Sequence, residues 1–85
     1  MASDVKYAGI RESIHSETHT RIRDTLKGKR LELGLSQRAL AKRLCVAHSL
    51  ISKVESGDRR LDVVELKRYT HALGLDFGII VELLV

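Results

Sequence analysis

Residues 36–56 read SQRALAKRLCVAHSLISKVES, and the order of apolar and polar positions in this stretch decides the fold. Ser36 has a hydroxyl that can accept from the free N–H groups opening a helix. Behind it Leu40, Ala41 and Leu44 recur with a helical period, while Arg38, Lys42 and Arg43 fall on the opposite side. Cys45-Val46-Ala47 breaks that pattern. A second short run then starts near His48, with Ile51 and Val54 facing inward, and Ser56-Gly57-Asp58 reads as a turn.

Three linking residues are too few to fold two helices back side by side. With the small Ala41 at the contact, and Leu40, Leu44, Val46, Ile51 and Val54 around it, the helices 36–44 and 48–56 must cross closely at a steep angle. That is the helix-turn-helix arrangement, in which the second helix projects from the body and fits the major groove of DNA.

The flanks extend the helical reading. Upstream, Ile22, Leu26, Arg30 and Leu33 form a stripe that Gly34 ends. Downstream, Asp62 and Glu65 make an acidic version of the capping box, Val63, Leu66, Thr70 and Leu73 supply an inner stripe, and Gly74 closes it. Asp76 caps a last helix through Val85, whose Phe77, Ile79, Ile80, Val81, Leu83 and Leu84 nearly encircle it. The same residues would also suit an edge strand. Residues 1–20 are polar and mixed, with only Tyr7, Ile10 and Ile14 in helical spacing, and are expected to form an arm, loosely helical at best. Residues 21–85 then form one all-α domain of five short helices. The absence of proline and the scarcity of aromatic residues agree with this.

Eighty-five residues leave little room for a deep substrate pocket and the shell that orients catalytic groups. The single cysteine rules out an internal disulfide and fits a reducing compartment. The run Gly78–Val81 stops at Glu82, and MASDVKYAG lacks the build of a signal peptide, so a cytoplasmic protein away from membranes is expected. The net charge of +4 is unevenly spread: residues 21–60 hold eleven basic and four acidic side chains, whereas both flanks are net acidic. A concentrated basic field draws polyanions, nucleic acid first among them. On charge alone, a merely solvated face fits equally well.

The ordered combination GLSQRALAKRLCVAHSLISKVESGDRR, with LKGKRLELGLSQ upstream and LDVVELKRYTHALGLDF downstream, resembles the Cro/XRE, lambda-repressor-like helix-turn-helix family over residues 22–77. The resemblance implies a five-helix, dimeric, sequence-specific DNA-binding protein without a catalytic site. It implies that Gln37, at the first turn of the second helix, meets a phosphate, and that His48, Ser49, Leu50 and Lys53 are presented to bases. Ser49 and Lys53 share a face by their spacing; Ser49 can donate or accept, and a lysine can reach guanine O6 or N7. Leu50 suits either a thymine methyl group or side-chain packing. Ser52 suits a backbone contact, and Arg59 and Arg60 suit phosphates or a solvated turn. The resemblance also implies a pair, Arg30 with Glu55, linking the first helix to the third. Ala39, Ala47 and Asp58 depart from the family pattern and remove part of a capping box, a helix cap and a basic contact. Cys45 occupies a tight-turn position where the family usually has glycine, at a steric cost if the backbone there is left-handed.

Sharper chemistry finds less support. Cys45 and His48 lack the second ligand pair of a zinc site, and no carboxylate or oxyanion pocket marks Cys45 as a nucleophile. Lys42 and Arg43 favour a thiolate, but a lone cysteine rarely serves as a redox sensor. His15 and His19 have ligand spacing without a third ligand. No metal or cofactor is expected, and an enzyme is the least favoured class.

The sequence therefore points to a transcriptional regulator, a repressor by preference, binding a palindromic site as a homodimer. Half-sites would lie about 10 bp apart, and Phe77, Ile80, Val81 and Leu84 would form the dimer surface. One alternative is an antitoxin that represses its own operon while its arm, residues 1–20, holds a toxin. Another is a protein-interaction module that keeps the fold without binding DNA.

Overall fold

A computed structural model describes residues 16–84 and contains five helices in the order α1 (Glu17–Glu32), α2 (Gln37–Leu44), α3 (His48–Ser56), α4 (Val63–Ala72) and α5 (Phe77–Leu83). No strand occurs among the described residues. The stripe at Tyr7, Ile10 and Ile14, and the pairing of His15 with His19, involve residues outside the described range.

Local chemistry sets the helix ends. The Ser16 hydroxyl accepts from His19 N at 3.1 Å, so α1 begins at Glu17, four residues ahead of the boundary expected at residue 21. Ser36 caps α2 by accepting from Ala39 N at 3.0 Å, but with alanine at position 39 no side chain reaches back to complete the box. Asp62 and Glu65 form both halves of the capping box that opens α4. Asp76 accepts from Gly78 N, and α5 forms where an edge strand was the competing expectation. Ala47 opens α3 without any side-chain cap.

The α2–α3 link turns on Cys45. Its φ of 57° and ψ of 43° place it in the left-handed region, where it is the only non-glycine among the described residues. Its N–H bonds Lys42 O and the N–H of Val46 bonds Ala41 O, which closes α2 and sends the chain off at the angle α3 needs. A left-handed L-residue costs roughly 1–2 kcal/mol. Burial of both helices repays it: Leu40, Ala41, Ile51 and Val54 are all buried at the crossing.

Ile22 and Leu26 of α1, Tyr69 and Leu73 of α4, and Ile80 of α5 complete the core. Four side chains depart from the expected stripes. Leu33, in the last turn before Gly34, is exposed. Val63 is 73% exposed because the first turn of α4 projects past the core, and Tyr69 takes the interior place with Thr70 and Leu73. Val46, expected at the crossing, is 37% exposed at its edge, beside Leu44 and Leu50. Ile80, expected on the dimer surface, is fully buried in the core of its own chain. Of the other residues assigned to that surface, Phe77 is half-buried, whereas Val81 and Leu84 are 43% and 58% exposed. In a 100° helical progression these three lie on one flank of Ile80. Ile79, not assigned to that surface, is exposed on the other flank.

Candidate nucleic-acid interface

Helix α3 turns Ile51 and Val54 into the core, which leaves His48, Ser49, Ser52, Lys53 and Ser56 exposed along the opposite side. Ser49 and Lys53 are thus displayed one turn apart, a hydroxyl and a cation on the same ridge. Ser56 is engaged locally, its hydroxyl donating to Lys53 O and to Asp58. Leu50 belongs elsewhere: it is half-buried against the core and shares a small hollow with Leu44, Val46 and Leu61. That contact matches the packing reading of Leu50.

Behind this face lies a buried polar junction. Arg30 on α1 meets Glu55 on α3 through two parallel bonds, Nε to Oε2 at 2.6 Å and Nη2 to Oε1 at 2.9 Å. The two side chains are only 7% and 5% exposed. Arg30 Nη1 also donates to Leu35 O at 2.7 Å, and Gln37 Nε2 donates to Glu55 Oε1 at 3.0 Å. One ion pair therefore gathers four elements: Glu55 joins α1, the start of α2 and the end of α3, and Arg30 adds the α1–α2 loop. Burial alone would raise the Glu55 pKa. The hydrogen bonds from Arg30 and Gln37, with the charge of Arg30, outweigh it and hold the carboxyl below its ordinary value. The Glu55 hydrogen bond likewise raises the guanidinium of Arg30, which stays charged. Gln37, assigned to a phosphate, thus has its amide nitrogen committed to Glu55, while its backbone stands at the positive end of α2.

Arg59 and Arg60 follow α3. Arg59 forms a forked pair with Glu65, Nη2 to Oε2 at 2.9 Å and Nη1 to Oε1 at 3.2 Å, and donates to Arg60 O. The same Glu65 accepts from Asp62 N, so one carboxylate both caps α4 and tethers the loop. The hydrogen bond from Arg59 holds the Glu65 carboxyl below its usual value. Any phosphate contact by Arg59 must share its guanidinium with Glu65; Arg60 is exposed beside it. Glu65 was legible only as a cap, and its second role has no local sequence signal. Two further contacts also had none: Arg43 Nη1 donates to Ala72 O at the end of α4, and the Arg23 guanidinium lies against Gly57.

Chemically, this surface offers hydrogen-bond donors, acceptors and a cation on the exposed side of α3. Cys45 is a free, exposed thiol at the turn. Among the described residues no group of three or more metal-ligating side chains comes together, and no helix is long and apolar enough to cross a membrane.

Comparison with known proteins agrees with this geometry. A family model described as helix-turn-helix matches residues 26–80, well over half of the chain. Among solved structures, the chain is similar to the wild-type restriction-modification controller protein C.Esp1396I. The TM-score is 0.72 and the identity 26%, covering 81% of this chain and 88% of that one. No curated protein matches the sequence.

Proposed function

The chain belongs to the helix-turn-helix family, and from that premise we propose that it regulates transcription by binding a palindromic DNA site as a homodimer, as a repressor in the first instance. The observation that carries this reading is the exposed ridge of α3, with Ser49 and Lys53 facing outward and the helix locked from behind by Glu55. In this reading Ser49 and Lys53 read base edges, His48 stands at the groove, and Ser52 touches the backbone. Arg60, the start of α2 at Gln37 and, in competition with Glu65, Arg59 hold phosphates. The dimer forms through Phe77, Val81 and Leu84, so glutamates at positions 81 and 84 should yield folded monomers, whereas Ile80→Glu should unfold the chain.

Likeness to a controller protein favours the regulator over the antitoxin or a module without DNA binding. The test is selection of bound sites from random duplexes, repeated with Ser49→Ala and Lys53→Ala. A shifted base preference in the variants supports direct readout. Uniform weakening assigns these residues to the backbone, and selection of no sequence by the unaltered protein refutes the reading.

A further inference from the structure

The last turn of α2 and the C-terminal half of α4 leave an open groove of about 510 Å³ between them, lined by Arg43, Leu44, Lys67, Arg68, His71 and Ala72. Four of these side chains are basic and exposed, and none is acidic. Arg43 Nη1 donates to Ala72 O at 3.1 Å and so spans the groove from α2 to α4. Lys67, Arg68 and His71 make no side-chain hydrogen bond or ion pair among the described residues. Arg68 also borders the small hollow that Glu65 lines, but both oxygens of Glu65 are taken by Arg59 and by the cap of α4.

Cations near helix C-termini ordinarily offset the helix dipole. Each such end carries about half a negative charge, so α2 and α4 together offset about one. Arg43, Lys67 and Arg68 supply three permanent positive charges, which leaves a surplus of about two. The donors also converge: Lys67 and His71 lie one turn apart, with Cβ atoms about 5–6 Å from each other, and Arg68 lies one turn before the Ala72 carbonyl that anchors Arg43. The groove is of ligand size, within roughly 300–1,000 Å³. No aromatic side chain lines it, so it offers a nucleobase no stacking platform. None of the residues assigned above to bases or phosphates lines it either, so it is separate from the α3 ridge. We propose that this groove binds a phosphoryl anion of at least two charges, either a free diphosphate or successive phosphates of a nucleic-acid backbone. Arginine matches phosphate oxygens with its planar fork and lysine adds a point charge. An acidic peptide, by contrast, spreads its single charges along its length.

Pyrophosphate is the probe, titrated into the full chain at fixed ionic strength and followed by amide and side-chain NMR shifts. The expected result is a saturable change at Arg43, Lys67, Arg68 and His71, with a dissociation constant of about a millimolar. Lys67→Gln combined with Arg68→Gln alters two exposed side chains outside the core, so Tm should hardly move. That double variant should bind pyrophosphate about tenfold more weakly or worse, and tetraglutamate should bind the unaltered protein more weakly by a similar factor. Three outcomes overturn the proposal: no saturable shift, equal binding by the double variant, or equal binding of tetraglutamate. A short duplex of arbitrary sequence then separates the two sources. If it shifts the same four residues, and the double variant's salt dependence is shallower by about two in log–log slope, the phosphates are those of a backbone. If it leaves the four residues unmoved, the ligand is a free diphosphate. Neither outcome depends on whether α3 reads DNA.

Discussion

Glu55→Ala removes the centre of the buried junction, and its consequence can be worked out atom by atom. Arg30 loses both carboxylate bonds and keeps only Leu35 O; Gln37 loses its acceptor. The guanidinium, 7% exposed, is then a buried charge without a counter-charge in contact. Breaking one side of such a pair costs about 3–5 kcal/mol, which is a large share of the roughly 5–15 kcal/mol that holds a small domain folded. For a domain this size each kcal/mol moves Tm by about 4–8 °C, so a fall of at least ~12 °C is expected. The control is the double variant Arg30→Met with Glu55→Leu, which removes both charges and leaves nothing stranded. It should lose less stability than Glu55→Ala alone, the reverse of additivity. Denaturant unfolding measures all three proteins, and DNA affinity is compared only where each is fully folded. A Glu55→Ala loss below about 1 kcal/mol, the range of exposed pairs, would refute the reasoning. So would a double variant that loses as much stability as Glu55→Ala or more.

Three other expectations follow from single groups. Cys45→Gly relieves the left-handed strain at φ 57° and should raise stability by about 1 kcal/mol; thermal unfolding with Cys45→Ala as the strained control decides it, and equal Tm values would discount the strain. The Tyr69 hydroxyl is buried without a hydrogen-bond partner among the described residues, and burial with the nearby Glu55 charge pushes its pKa up. Tyr69→Phe should therefore be neutral or stabilise by about 1 kcal/mol in urea unfolding, and a clear loss would mean the hydroxyl has a partner. Glu55 has a folded pKa below the ordinary 4.5, so its contribution is present above that value and disappears as pH falls through the lower folded one. Chemical denaturation across that range should show a steeper acid loss in the unaltered protein than in Glu55→Gln, and parallel curves would refute the assignment.

The parts of the fold that could be read from sequence are those with short-range causes. Ser36, Asp62 and Asp76 each announce a helix one to three residues ahead, and the three-residue link from Cys45 fixes the crossing of α2 and α3. The left-handed position of Cys45 was suggested by the family resemblance, which implies glycine there. What could not be read depends on distance or on phase. Arg30 and Glu55 stand 25 residues apart with no local pattern joining them, so only family resemblance suggested the pair. In FGIIVELL almost every position is apolar, so periodicity could not separate buried Ile80 from exposed Val81 and Leu84. Tyr69 was missed because its hydroxyl reads as polar although its ring fills the core. Leu50 has two readings of similar weight in the sequence, and its contact with the core adds to the packing one.

A division of labour follows from where the hydrogen bonds lie. The side chains that orient α3 are Arg30, Gln37 and Glu55, all behind the exposed ridge. The side chains on the ridge, His48, Ser49, Ser52 and Lys53, make no side-chain hydrogen bond within the described residues and lie outside the core. If the ridge reads DNA as proposed, orientation and readout rest on separate residues, and each can change without the other. Exposed substitutions away from caps and networks usually stay within about 0.5 kcal/mol, so exchanging residues 48, 49, 52 and 53 should alter which DNA is bound while Tm hardly moves. In the proposed reading Gln37 bridges the two sets, because its amide supports Glu55 while its backbone, at the start of α2, would meet a phosphate. Gln37→Ala should therefore lower stability and DNA affinity together, which no single exchange on the ridge would do; a variant that lost affinity at unchanged Tm would place Gln37 with the readout residues alone.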